Sequence, residues 1–438
     1  MTVRSQYRIT GSTRSGIVAS VETGVEDGAL RPGDDLPPVR ALASQLAVSP
    51  ATVAAAYRDL RARGVTFNRP RRGVQIAHRP PLVAPPATDV PDGVVDLAQG
   101  NPDPALLPPL PALVRRGRPR LYGDPSAVPA LLDAVGDELE ADDVATGHVA
   151  VTSGALDGID RILDVHLRPG DRIAVEDPCW TGTRDLIRVR GLDAVGVAVD
   201  DRGMSPDRLA AALREGVAAV LVTPRAHNPR GAAFDADRAA ELRTVLAAHP
   251  VVLVIEDDHA GIVAGAAYHT LTGGRDRWAV VRSMAKSLGP DLRLAVLAGD
   301  RHTVARVEGR QRLGPGWVST ILQRLAAHLL TDPNVADLLD RAAATYTRRR
   351  DALVAALGAV GLDASGRSGL NVWVPVPEEG AVVAGMQRAG WAVRAGEPFR
   401  LSADPAIRIT AASLDPADAG RVAADLATLL APSATRPA

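Results

Sequence analysis

The sequence predicts an α/β protein in two unlike parts, a small basic head and a larger body whose mainly parallel sheet is covered by helices on both faces. Three observations predict it. The first 80 residues hold 12 arginines against 6 acidic side chains, a net of +6, while the remainder of the 438-residue chain is net −7. A proline-rich stretch, HRPPLVAPPATDVP from His78, separates the two and reads as a semi-rigid extended linker. Beyond it, short β-branched runs alternate with helical Ala/Leu/Arg stretches, the rhythm of a parallel sheet with crossover helices. The expected division is therefore a head at 1–77, a linker at 78–93 and a body at 94–438.

Composition narrows the class further. At 46% hydrophobic and 23% charged residues the chain is of ordinary globular make-up. No apolar run approaches the ~18 residues of a membrane span, and the polar start MTVRSQYRITG lacks the apolar stretch of a secretory signal. One cysteine, Cys179, excludes a disulfide framework within one chain and points to the cytoplasm. No metal-ligand spacing is found. Of the 50 basic residues only Lys286 is a lysine. Arginine serves wherever charge suffices, yet it cannot form an imine, so the one lysine falls under suspicion of chemistry.

In the head, a first helix is expected from about Thr13 to Asp27, with Ile17, Val18, Val21 and Val25 on one stripe. A second follows at Val39–Leu46, then a tight turn, then a third, with Ser49 as N-cap and Pro50 as first residue. In that third helix Val53, Tyr57 and Leu60 face inward, leaving Thr52, Ala55 and Arg58 outside. So short a turn between two helices gives a helix-turn-helix angle. Two strands in VTFNRPRRGVQIA, around a tip of Arg69, Arg71 and Arg72, complete a winged helix. The plain reading is a packing domain with a solvated arginine face. The sharper one lays the Pro50–Arg63 helix in a major groove and the tip on phosphate or in the minor groove. Candidate DNA contacts are Arg40, Ser49, Thr52, Arg58, Arg71 and Arg72. The run LPPVRALASQLAVSPATVAAAYRDLRARG resembles the GntR family of bacterial winged-helix regulators.

In the body, six strands are expected in HVAVTSG, RIAVEDP, AVLVTP, VVLVIEDD, AVVRSMAK and LRLAVLAGD. Ligands of such sheets bind beyond the carboxyl ends of the strands. Those ends carry Ser153-Gly154-Ala155, Asp177–Trp180, His227-Asn228, Asp257-Asp258, and Ser283 with Lys286. Pyridoxal 5′-phosphate needs an amine for a Schiff base, a carboxylate at its pyridine nitrogen, a phosphate cup and a stacking face. Lys286 can supply the amine and Asp257 the carboxylate. The helix opened by Gly154 and Ala155, with Ser283 and Arg293, can make the cup. Trp180 offers the face and Asn228 a bond to the phenolic oxygen. Singly, Asp257 could be a helix cap, Trp180 core and Asn228–Gly231 a turn; their joint order after strands is what points to the cofactor.

The pieces LAQGNPDPALLP, LYGDPSAVPALL, VTSGALDGIDRIL, GDRIAVEDPCW, TPRAHNPRG, VIEDDHAG, SMAKSLGPDLRLA and AIRIT make the body resemble fold-type I aminotransferases over nearly all of 95–438. The resemblance implies Lys286 as the Schiff-base residue, Arg408 as clamp for an α-carboxylate, and Tyr122 reaching the phosphate of a neighbouring subunit. It also implies a smaller C-terminal α+β subdomain that closes the body, and a homodimer, with Gly314–Ser319 (GPGWVS) a second cross-subunit candidate. With the GntR-like head, the whole chain is similar to MocR-type regulators. There it departs in bearing His259 where a tyrosine is usual, Trp180 at a position often tyrosine, and Gly182 where one subgroup has arginine. The function implied is a PLP-dependent DNA-binding transcriptional regulator whose effector is a small amine, an amino acid or PLP itself. The alternative is a working transaminase, for which Lys286 and Arg408 would suffice.

Overall fold

The structure is a computed structural model that describes residues 7–27, 29–62, 65–69, 73–76, 90–91, 93–109 and 125–431. The chain forms two compact units that divide in the linker at Ala87/Thr88, with the short segments 167–173 and 182–194 grouped in the first.

The head is built as its pattern demands. Helix α1 spans Arg14–Glu26, capped by Thr13, whose side chain accepts from the Gly16 amide. Helix α2 is Val39–Leu46 and α3 is Pro50–Ala62. Between them Ala47 takes the left-handed conformation (φ 53°), which turns the chain sharply after α2. Ser49 then caps α3 by accepting from the Thr52 amide at 3.1 Å. Ile17, Val21, Leu42, Val53, Ala56 and Leu60 are fully buried in one core, with Tyr57 donating its hydroxyl hydrogen to the Pro37 carbonyl at 2.8 Å. Strands β1 (Thr66–Arg69) and β2 (Gly73–Ile76) pair antiparallel, Arg69 opposite Gly73. An isolated antiparallel bridge pairs Asp35 with Gln75 of β2, and the Gln75 side-chain amide donates to the Asp35 carboxylate at 2.6 Å, a contact that the sequence pattern does not announce.

The body has β3 (Val95–Asp96) and then an eight-stranded sheet. Its strands are β4 (Val149–Thr152), β5 (Arg172–Asp177), β6 (Asp193–Asp200), β7 (Gly203–Met204), β8 (Ala219–Val222), β9 (Leu253–Asp258), β10 (Trp278–Ser283) and β11 (Ala295–Gly299), in the order β4-β11-β10-β9-β8-β5-β6-β7. β8, β9 and β10 are mutually parallel, and β11 runs antiparallel to both β10 and β4. That reversal follows from the connection: Met284–Leu294 is too short for a crossover helix, so the chain turns back beside β10. Lys286 sits in this return loop. All six expected strands form, and β6 joins them unannounced with the two-residue β7 as the edge beyond it.

A smaller sheet of β12 (Asn371–Pro375), β14 (Arg394–Ala395) and β15 (Ala406–Thr410) closes the body. β13 (Trp391–Ala392) pairs parallel with β3. The long helix Pro333–Ala359 packs beside these strands, its Leu353 and Leu357 buried with Val372, Ile407 and Ile409. Among the described residues no helix is long and apolar enough to cross a membrane.

Candidate functional site

Register places the candidates before any side chain is considered. Ser283, the last residue of β10, pairs with Ala295 of β11, and Ala295 pairs with Thr152 of β4. β4 and β10 therefore end, and β11 begins, in one row, which brings Ser153-Gly154, Arg293 and Ser283 to a common edge. Gly154 has φ +93°, and a Cβ there would lie 3.3 Å from the Arg293 guanidinium, so the arginine rests against glycine main chain. Arg293 holds a left-handed backbone (φ 45°), sparse for a residue with a side chain and a mark of functional positions. It is exposed and has no acidic partner among the described residues. Helix Ala155–His166 starts at this edge and points its amide end there. The Ser153 amide is committed to Asp157 at 2.9 Å, so only its hydroxyl is left for a ligand.

Side-chain alternation along β9 sorts the acidic run Glu256-Asp257-Asp258. Glu256 is held by Tyr268 and Thr270 and by the Leu271 amide. Asp258 accepts from Arg225 (2.9 Å from both Nε and Nη2) and from Arg282 Nε (2.7 Å). Asp142 accepts from Arg282 at 2.5 Å, and both guanidiniums stack on the Tyr268 ring at 4.9 and 5.2 Å. Burial alone would push the Asp258 carboxyl up, but the two arginines hold it down at about 2. Asp257 points the other way. It is buried, its Oδ1 has no hydrogen-bond partner among the described residues, and burial with Asp258 nearby lifts it to about 7. An orphaned carboxyl oxygen of this kind calls for a donor from outside the chain.

Lys286 donates to the Gly100 carbonyl at 2.7 Å. Burial, and then the charge of Arg408, lower its amine to about 8. Arg408, on β15, donates to Asn228 Oδ1 at 3.1 Å and to the Ala98 carbonyl, and lies 5.0 Å over the Phe399 ring. Its own value falls to about 10 through burial and the neighbouring Arg394. Asn228, Arg408 and Lys286 thus share one site. His259, whose Nε2 is 2.8 Å from the Ala226 carbonyl, is close enough to feel the charge of Lys286; burial and then Lys286 depress it to about 4, so the ring is neutral at pH 7. Its Nε2–H therefore donates to that carbonyl. Trp180 follows β5 and is 37% exposed, an indole face open beyond the strand end.

In the head, Arg40 and Arg58 are exposed, and Thr52 is half-buried with its hydroxyl 2.8 Å from that of Ser49. Tyr122, Arg71 and Arg72 lie outside the described residues.

Sequence reasoning missed the buried pair Glu176 and His227, 3.5 Å apart beneath the strand ends. Burial raises Glu176 to about 8, and burial, then Arg230 and His259, lower His227 to about 3, so both are neutral at pH 7. It also missed the Arg225–Asp258–Arg282–Asp142 network. Arginines inside apolar runs such as AVLVTPR and AVVRS were the available signal, since a buried guanidinium requires a buried acid.

Comparison with known proteins agrees with this layout. Residues 13–76 match the family described as bacterial regulatory proteins, gntR family, and 92–426 match aminotransferase class I and II. The vitamin B6 salvage pathway transcriptional repressor PtsJ of Salmonella typhimurium is 40% identical, covering 95% of this chain and 98% of that protein. The HTH-type transcriptional regulator TauR of Rhodobacter capsulatus is 30% identical, covering 84% of each. Among solved structures, the kynurenine aminotransferase of Pyrococcus horikoshii superposes with a TM-score of 0.69 at 20% identity, covering 77% of this chain and 91% of that one. At that identity the likeness speaks for the fold, fold-type I, alone.

Proposed function

The chain belongs to the regulators in which a GntR-family head is fused to an aminotransferase class I and II body, the MocR type, and from that premise we propose a pyridoxal-phosphate-dependent, DNA-binding transcriptional regulator. The observation that carries the reading is the coexistence of a helix-turn-helix head with an amine and an orphaned carboxyl beyond neighbouring strands of the large sheet, and with a buried arginine of the smaller sheet whose charge acts on that amine.

Pyridoxal 5′-phosphate fits the residues present. Lys286 would meet its carbonyl, and Asp257, whose Oδ1 lacks a donor, its ring N–H. Ser153, Gly154, Ala155, Ser283 and Arg293 would hold its phosphate, Trp180 its ring face, and Asn228 and His259 the rim near its phenolic oxygen. When bound, the cofactor supplies a carbonyl for amine chemistry and an electron-withdrawing ring. Lys286, with an amine near 8, is neutral often enough at physiological pH to be a nucleophile. Arg408, buried and oriented by Asn228, would grip an effector carboxylate in a fork. His259 gives its Nε2–H to Ala226 and so leaves the phenolic side without a tyrosine-type hydroxyl. A relative named for vitamin B6 salvage supports pyridoxal phosphate itself as an effector, beside a small amine or amino acid.

Arg40, Ser49, Thr52 and Arg58 would face operator DNA, with Arg71 and Arg72 of the wing tip. Paired half-sites ask for a homodimer. Large apolar side chains flank Gly314–Ser319, Leu313 being 83% and Ile321 50% exposed, which supports that segment, with Tyr122, as the subunit contact. A DNA partner supports a cytoplasmic location. The test is a mobility-shift titration of the full chain on DNA flanking its own gene at moderate salt. A sequence-specific shift altered by pyridoxal phosphate is expected; its absence would overturn the reading.

A transaminase reading has Lys286 and Arg408 in its favour. Incubating the cofactor-loaded chain with a panel of amino acids separates the two. Release of keto acid with conversion to pyridoxamine phosphate favours the enzyme, and a stable spectral change without release favours the sensor.

A further inference from the structure

We propose that Ala98–Gly100 is an internal surrogate ligand, whose carbonyls occupy Arg408 and Lys286 until cofactor and effector displace them and so signal to the linker. The inference rests on the assignment of Lys286 as cofactor amine and Arg408 as carboxylate clamp given above.

The segment is the first stretch of body after the linker, and it is fixed at both ends. On one side the Val95 amide donates to Gly390 and the Leu97 amide to Ala392, while the Leu97 carbonyl accepts from Thr410 at 2.9 Å. On the other, the Asp103 amide donates to the Tyr346 hydroxyl at 3.1 Å and its carboxylate pairs with Arg349 at 2.8 Å. Between these anchors the chain turns on Asp96, whose Oδ1 accepts from the Ala98 and Gln99 amides. That turn presents two carbonyls, Ala98 to Arg408 and Gly100 to Lys286.

Gly100 is required here. Its φ is +65°, and a Cβ would stand 3.3 Å from Arg408 Nη2 and 3.6 Å from Cζ, so its main chain lies directly on the guanidinium. The segment therefore covers the fork that a carboxylate needs and takes the amine that a carbonyl needs. A ligand bearing an aldehyde competes for Lys286; one that also bears a carboxylate competes for Arg408. Either leaves a main-chain carbonyl without its charged donor, and an oxygen so stranded must move to a new partner or to water. Release is graded, one carbonyl per ligand group. It occurs a few residues downstream of the linker that ties the DNA-binding head to the body.

Hydrogen exchange read by mass spectrometry on the full chain tests this in three states. These are ligand-free, borohydride-reduced on pyridoxal phosphate so that Lys286 stays occupied, and bound to N-(5′-phosphopyridoxyl)-L-alanine. Exchange across 98–102 is expected to quicken by about tenfold in the second state, the equivalent of one lost charge-assisted hydrogen bond. In the third state it quickens through loss of the Arg408 contact, while Val95 and Leu97 stay protected in both. Unchanged or slower exchange at 98–102, with the adduct on Lys286 verified by mass, overturns the surrogate-ligand proposal and leaves the regulator reading intact. Failure of any adduct to form on Lys286 overturns both. Gly100→Ala supplies a second arm. Without ligand it should exchange, and bind operator, as the liganded wild type does; ligand-free wild-type behaviour with a full ligand response would contradict the proposal.

Discussion

Asp257 and Asp258 are consecutive at the end of β9, and their carboxyl groups meet opposite surroundings. Asp258 is gripped by Arg225 and Arg282, whereas Asp257 ends in a buried oxygen with no donor among the described residues. One residue of strand alternation thus separates an acid paired with two arginines from an acid whose buried oxygen has no partner among the described residues.

Asp257 should destabilise the ligand-free chain at neutral pH. Its folded value, about 7, lies above the unfolded 3.8, so the unfolded state gives up the proton first. Stability falls as pH rises between those values and stays lower above them. Asp257→Asn should raise the ligand-free melting midpoint at pH 8 by about 2–4 °C or more and by a smaller amount at pH 5, where only part of the penalty has accrued. The same variant should bind pyridoxal phosphate weakly. Melting curves at both pH values, with and without cofactor, check this.

Asp258 should behave in the reverse sense. Its folded value is held near 2, below the unfolded one, so it contributes stability at neutral pH that is lost as pH falls through that range. Asp258→Asn leaves two buried guanidiniums short of charge and should cost about 3–5 kcal/mol in urea unfolding.

Cofactor capture by Lys286 should follow an amine near 8 rather than the ordinary 10.5. The rate of pyridoxal phosphate binding, followed by absorbance, should rise steeply from pH 7 and level off above about 8.5. Replacing the nearby cation, as in Arg408→Gln, should move that midpoint upward, because Arg408 is one of the charges that lower it.

On the DNA side, Arg58→Ala should weaken operator binding by about tenfold without loss of fold, since the side chain is exposed and unshared with the core. Ser49→Ala should also lower stability, because besides a proposed operator contact it removes the α3 cap at a cost of about 1 kcal/mol. Fluorescence anisotropy on an operator duplex, beside a thermal melt of each variant, tells the two effects apart.

What could be read in advance was what is local. The α2 boundaries, the Ser49 cap and the inward set Val53, Tyr57 and Leu60 follow from neighbours within one or two helical turns, and the structure repeats them. Strand ends could be named because each is a short apolar run followed by a polar residue. Strand β6 went unread although AVGVAV is an apolar run: Gly196 interrupts its β-branched residues, and its positions alternate between exposed and more buried. The direction of β11 was implicit in its short connection but not in its composition. The contacts that define the site were beyond sequence pattern. Lys286 and Gly100 stand 186 residues apart, Arg408 and Ala98 310, Arg282 and Asp142 140. Hydrophobic periodicity carries no information at such separations. A main-chain carbonyl, moreover, is the same on every residue, so no residue type marks Gly100 as an acceptor.

The measurement that bears most directly on the regulator is operator affinity of the full chain with and without pyridoxal phosphate, for wild type and for Lys286→Ala. Wild type should bind specifically and change its affinity several-fold with the cofactor. Lys286→Ala should bind the same DNA, carry no cofactor absorbance band and ignore the cofactor. A cofactor response that survives in Lys286→Ala, or a wild type that binds no operator in either state, would contradict the account.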